Sequence, residues 1–152
     1  MAGMRRKLGL FTGGNDDAAL AQALLDAMRE GEADFTLTFR ALDPESDDAA
    51  RFLFAKPDVY DSWAARWRLR LSAEPQDVAT RRAALRRANP AFIPRNHRVE
   101  AALAAAIECD DFAPFEELLT VLSRPFEDQP GFAAYADPPA PEQRVCQTFC
   151  GT

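Results

Sequence analysis

Histidine and cysteine are nearly missing from this chain: 152 residues hold one histidine and three cysteines. Three cysteines cannot staple a domain of this size with a disulfide framework, and one histidine with cysteines in no zinc spacing gives no structural metal site. Long apolar runs are absent too. No stretch approaches the ~20 residues of a transmembrane helix, and the basic Met4-Arg5-Arg6-Lys7 leads into only a short apolar patch, which argues against a signal peptide or a span. The formal charge of -6 argues against generic attraction to nucleic acid or anionic lipid. A reducing, cytoplasmic setting is the expectation.

What is present is ordinary globular composition, 47% hydrophobic and 28% charged, enough for one domain with a real core. The periodicity is helical almost throughout. Met4 to Phe11 reads as the end of a helix stopped at Gly9, an abrupt beginning that suggests a fragment of a longer chain. Asn15 is expected to cap a helix from Asp16 to Glu30, with Leu20, Leu24, Leu25 and Met28 on one face and Gly31 as its stop. Asp34 to Leu42 fits both strand alternation and helical spacing. With no second strand to pair it, a helix capped by Asp34 is expected. Ser46, Asp47 and Asp48 open a helix through Phe54, and Tyr60, Trp63, Trp67 and Leu71 mark the core face of the next. A further helix starts at Glu74-Pro75-Gln76-Asp77 and carries Val78 and Leu85 inward.

Asn89-Pro90-Ala91-Phe92-Ile93-Pro94 is a proline-braced corner in which Asn89 and Ile93 should be extended. Asn96 then caps a helix whose inward stripe is Val99, Leu103 and Ile107, widened by Ala102 and Ala106, and Pro114 begins its hairpin partner with Phe115, Leu118, Leu119 and Leu122. From Pro125 onward proline forbids regular helix, and Phe126, Phe132 and Tyr135 are expected to anchor an extended tail. The fold class is therefore all-α: an irregular multi-helix bundle over residues 1–124 with a Pro-rich tail over 125–152.

Candidate chemistry is thin. Thr12-Gly13-Gly14-Asn15 lacks the Lys-Ser/Thr of a phosphate loop and reads as a turn. The carboxylates sit at helix starts and form no acid/base pair, and His97 reads as structural. Nine arginines lie between Arg66 and Arg98 against only Glu74 and Asp77. They form either a phosphate or RNA surface or, the reading preferred here, partners for carboxylates across helix interfaces. The most specific local feature is the terminal pair Cys146 and Cys150. The two can bridge each other, Cys150 can reach a thiol elsewhere, or both are inert.

Several separated motifs occur in order: Ala2-Gly3-Met4-Arg5-Arg6-Lys7-Leu8-Gly9-Leu10, Ala33 to Leu42, Asn89 to Asn96, Arg124-Pro125-Phe126 with Gln129-Pro130, and the final Cys150-Gly151-Thr152. Together they resemble the C-terminal part of the selenoprotein O (SelO/YdiU) family. The resemblance implies a parent that binds ATP with a divalent cation, Mg²⁺ or Mn²⁺, in a kinase-like domain and transfers AMP to protein hydroxyls. It places that machinery upstream, so no catalytic, cofactor or metal residue is expected here. The implied partners are the parent's kinase-like domain and its protein substrates. The family carries selenocysteine or cysteine third from the end, where Cys150 stands, and there it can pair with a cysteine of the kinase-like domain. Cys146 is one residue too far for the family's Cys-x-x-Sec pattern, so the long-range role of Cys150 is the expectation. The competing expectation is a free-standing helical module that contacts protein or RNA through its arginine-rich helices.

Overall fold

A computed structural model describes residues 1–46 and 48–143. The described residues are all-α, with no strand among them. The helices are α1 (Ala2–Lys7), α2 (Asp17–Glu30), α3 (Phe35–Ala41), α4 (Asp48–Arg51), α5 (Pro57–Leu71), α6 (Val78–Ala88), α7 (Asn96–Cys109) and α8 (Ala113–Leu122). Short 3₁₀ turns follow at Pro130–Tyr135 and Pro141–Gln143. No helix is long and apolar enough to cross a membrane among the described residues. The chain divides into two compact units, Met1–Pro90 and Ala91–Thr152, and the division falls inside the proline-braced corner.

The first unit is built on α5. Its four-residue aromatic repeat buries Tyr60, Trp63, Trp67 and Leu71, none more than 3% exposed. The rings form a column, Phe54 on Tyr60 at 5.0 Å, Tyr60 on Trp63 at 5.8 Å and Trp63 stacked on Trp67 at 5.3 Å. Buried indoles need acceptors. Trp63 donates to the Leu20 carbonyl of α2 and Trp67 to the Leu8 carbonyl just past α1, each at 2.9 Å. Leu20, Leu24 and Met28 of α2 close over the column, as their spacing predicts, while Leu25 stays only partly buried.

Several helix ends differ from expectation by a residue or more. Asp34 does cap α3, accepting from the Leu37 amide at 2.8 Å. Asn15 does not cap α2: Asp16 holds that position without a side-chain bond. α2 ends with its left-handed residue at Glu32, φ 52°, and the Ala33 amide reaches back to Met28. Gly31 is the C-cap of α2, as expected, and it is also required for space, since a Cβ there would lie 2.5 Å from the Phe54 ring. α4 stops at Arg51 because the amides of Leu53 and Phe54 bond three residues back and tighten the chain into a turn. Asp47, expected in its first turn, lies outside the described residues. α6 begins at Val78 and not at Glu74, with Asp77 accepting from the Thr80 amide at 2.7 Å.

In the second unit α7 and α8 pack as the expected hairpin. Arg95, not Asn96, precedes α7, and Asn96 is its first residue. Only the small-residue edge of the expected stripe on α7 points inward: Ala102 is buried, but Leu103 is 43% and Ile107 81% exposed. On α8, Leu118 and Val121 are buried while Phe115 and Leu119 are exposed. The small core consists of Ala91, Phe92 and Val121 with Leu122, Phe132, Tyr135 and Ala136 packed against it. Phe132 and Tyr135 thus anchor the segment after α8, whereas Phe126 is 47% exposed and is not part of this core among the described residues.

Because the Phe54 ring is buried against Tyr60, it cannot swing away from a methyl group on residue 31. Gly31→Ala should lower stability by about 1–3 kcal/mol through overpacking. Urea unfolding followed by tryptophan fluorescence measures this; an unchanged midpoint would show that the ring has room to move.

Candidate functional site

Asp17, 1% exposed, is the centre of the most polar buried region. Its carboxylate accepts from Arg5 Nε at 2.6 Å, Arg70 Nε at 2.8 Å and the Gly14 amide at 2.7 Å. Arg70 extends the network: one terminal nitrogen lies 2.7 Å from Glu74 and the other donates to the Thr12 carbonyl at 2.9 Å. Glu74 in turn accepts from the amides of Phe11 and Thr12 and from the Thr12 hydroxyl. Burial pushes both carboxyls up, but these donors outweigh it and hold both below their ordinary values. For Asp17 the opposing causes are Arg70, the Gly14 amide and Arg5, and for Glu74 they are Thr12, the Phe11 and Thr12 amides and Arg70.

This arrangement decides what the Thr12-Gly13-Gly14 segment can do. Backbone amides and arginines there do form an anion-binding surface, but its anions are the chain's own Asp17 and Glu74. A Cβ at Gly14 would sit 2.8 Å from the Asp17 carboxylate. The glycine is therefore needed for the close approach of an internal carboxylate. The residues do not fit a nucleotide phosphate, and among the described residues no group of three His, Cys, Asp or Glu side chains could hold a cation.

The arginine-rich segment is used internally in the same way. Arg82 makes a two-pronged pair with Asp43 at 2.7 and 2.8 Å and also reaches Glu45. Arg40 of α3 donates to the Arg86 and Asn89 carbonyls at the end of α6. Asn89, 1% exposed, completes the junction by donating to the Lys7 carbonyl at 2.9 Å and accepting from Lys7 Nζ at 3.3 Å. Lys7 also sits over Phe39 and Phe35, and burial lowers its pKa.

Beside these residues α1 and α6 leave an open cavity of about 940 Å³. Met1, Met4, Leu10 and Phe11 form apolar walls with Ala84 and Ala88, and Arg6 and Arg87 stand at its edge. It holds no carboxylate, histidine or cysteine among its lining residues, so it suits docking better than catalysis.

In the second unit the Ala91 and Phe92 amides both donate to the Pro125 carbonyl, at 2.8 and 3.1 Å. Gln129 donates to the Val121 and Arg124 carbonyls at 3.0 Å, closing the end of α8. Arg95 and Arg98 donate to the Ala136 and Ala134 carbonyls. Ala91 and Phe92, Arg124-Pro125 and Gln129, from three separated motifs, are thus one hydrogen-bonded assembly within this unit. His97 is buried beside it, its pKa lowered by burial and then by Arg98 and Arg95. Cys109 is an exposed free thiol at the end of α7. Cys146 and Cys150 lie outside the described residues.

A sequence model of the family described as "Protein adenylyltransferase SelO" matches residues 1–123. The chain belongs to the SelO family. Among curated relatives, the "Protein nucleotidyltransferase YdiU" of Rhodopseudomonas palustris strain BisB18 is 60% identical over 99% of the chain, as is that of Bradyrhizobium sp. strain ORS 278. The corresponding protein of Rhizobium meliloti strain 1021 is 56% identical over 99% of it. In each case the chain spans 32% of the relative's length, about a third of the SelO-family proteins it matches.

The Asp17 network gives a pH dependence with a fixed sign. Carboxyls whose native pKa lies below the unfolded value contribute stability fully above that value and lose it as pH falls through the native pKa. The network's share of the unfolding free energy should be constant from pH 7 down to the ordinary values of 4.5 and 3.8, then fall, while His97, whose pKa is lowered, adds a separate loss that begins below its ordinary value of 6.5. Asp17→Asn should cost on the order of 3 kcal/mol at pH 7 and flatten the acid limb. That is the lower end for breaking a buried pair, because Arg5 and Arg70 keep some water. Urea titrations from pH 3 to 7 read both effects.

Proposed function

We propose that the chain is the C-terminal helical part of a SelO-type protein adenylyltransferase. The parent moves AMP from ATP to serine, threonine or tyrosine hydroxyls of other proteins in a kinase-like domain, with Mg²⁺ or Mn²⁺. This part braces that domain and carries Cys150 as a redox-regulatory thiol. One observation carries the reading: family membership over residues 1–123 in a chain that spans a third of its relatives. The open apolar cavity beside α1 supports it, because Met1, Met4 and Phe11 there offer a docking surface to the rest of the parent. The internal use of Asp17, Glu74, Arg70 and Arg82 supports it too, since groups that would otherwise serve phosphate are committed to the fold.

The chain alone should show no heat of binding with ATP and Mg²⁺ or Mn²⁺ in calorimetry and should transfer no AMP to protein, while the parent-length protein does both. Micromolar ATP binding by the 152 residues would overturn the reading. In the parent-length protein, Cys150→Ser should abolish any reductant-sensitive change in transfer rate. A reductant response that survives the substitution would remove Cys150 from that role.

A further inference from the structure

The α7–α8 hairpin concentrates two properties, exposed apolar side chains and negative charge. Leu103, Ile107, Phe112, Phe115 and Leu119 are 41% to 81% exposed. They form one surface for a geometric reason. Leu103 follows the buried Ala102 and Leu119 follows the buried Leu118, so each lies about 100° past its helix's inward line. Ile107 and Phe115 are one turn away on the same stripes. In an antiparallel pair, equal rotations in the direction of the chain bring both stripes to the same side, and Phe112 lies at the connection between them.

The second property is charge. Between Val99 and Ser123 stand Glu100, Glu108, Asp110, Asp111, Glu116 and Glu117, with no lysine or arginine. All six are exposed. They equal the formal charge of the whole chain, -6, so the residues outside this stretch balance; with Arg98 in the first turn of α7, six acids against one arginine leave the hairpin itself at -5. Two of the six have local work: Asp111 caps α8 through the Ala113 amide and Glu117 accepts from the Tyr135 hydroxyl. Glu108 and Glu116 directly follow Ile107 and Phe115 along the chain.

The geometry points to this face as a docking site for a cationic amphipathic helix of another protein. Apolar residues one turn apart on such a helix would cover the Leu103–Ile107 and Phe115–Leu119 stripes, and its lysines or arginines would meet the carboxylate rim. A second copy of the chain fits poorly, since it would set six carboxylates against six. An anionic membrane surface is excluded by the same sign of charge. The inference stands apart from the adenylyltransferase reading, because it uses only exposure, helix geometry and charge.

The probe is a fluorescent 18-residue leucine–lysine peptide patterned as an amphipathic helix, with its leucine–glutamate counterpart as control. Anisotropy should show saturable, salt-weakened binding of the first to the 152-residue chain and none of the second. Ile107→Ser and Leu119→Ser, at positions exposed enough to leave folding intact by circular dichroism, should each weaken binding about tenfold, the scale of an interface anchor. Glu108→Lys with Glu116→Lys should do the same, and Leu69→Ser, at an exposed position of α5, should change nothing. Binding indifferent to the hairpin substitutions, or equal binding of the acidic peptide, overturns the proposal. So does a concentration-dependent dimer abolished by Ile107→Ser, which would make the occupant a second copy. If the parent-length protein fails to bind the peptide, the parent's own chain covers the face and the proposal also fails.

Discussion

The buried indole N–H groups of α5 are the constraint on which the first unit depends. A tryptophan can fill a core only if its one polar atom finds an acceptor, and both acceptors here are backbone carbonyls on other elements: Leu20 on α2 and Leu8 after α1. Each bond therefore fixes a helix in position while the rings supply the apolar area. Gly9, at φ 69° just beyond Leu8, turns the chain so that Leu8 and Leu10 both enter the same core. The next few residues, Phe11 to Gly14, then lie where Glu74 and Asp17 can grip their amides. Stacking in α5 and the carboxylate network are two sides of one arrangement, because Trp67 and Arg70 project from the same helix one turn apart.

That arrangement explains why a chain rich in arginine and carboxylate has so little free chemistry in its first unit. Asp17, Asp43 and Glu74 are each held by arginine, Asp43 by a two-pronged contact, and by backbone amides, which keeps their carboxyls below the ordinary range and makes them poor proton donors at neutral pH. The motifs that carry the family resemblance behave alike. Asn89 ties the end of α6 to Lys7, and Pro125 receives two amides from Ala91 and Phe92. Gln129 satisfies carbonyls that the end of α8 leaves open. These are joints, held by groups whose loss would expose buried donors and acceptors.

Much of the fold was legible because helical period and capping chemistry are local. The Tyr60, Trp63, Trp67 spacing identifies the core of α5, and Asp34 decides an otherwise ambiguous segment by accepting from the Leu37 amide. The Asp17 network was not legible. Asp17 reads as a first-turn acid and Glu74 as a helix start, and each description is reasonable until Arg70 is brought to both. The bond from Arg70 to Asp17 spans 53 residues of sequence, and no local pattern encodes it. Asn15 and Asn96 failed as caps for a related reason: a residue type suited to capping marks a neighbourhood, and the neighbouring Asp16 and Arg95 occupy the position itself. The assignment of the site to Cys150 and Cys146 rests on the family pattern and lies outside the described residues.

The apolar repeat on α7 is real, yet its bulky members do not mark the buried face. Val99, Leu103 and Ile107 recur at the spacing of a buried face, yet the helix turns Ala102 inward and leaves Leu103 and Ile107 in solvent. Alanine at the contact allows α7 and α8 to approach closely, and larger residues on that line would hold them apart. The inward line is therefore selected by size, while the bulky residues form the flank. Periodicity measures how apolar residues are arranged around a helix and carries no information about what covers them. In a chain that spans a third of its relatives, an apolar stripe has more candidate coverings than the chain's own core. The six carboxylates beside it restrict them, since desolvating an unpaired acid costs more than burying a leucine gains. A covering surface must therefore bring positive charge, and that requirement follows from the sequence between Val99 and Ser123 once the structure has shown which way the leucines point.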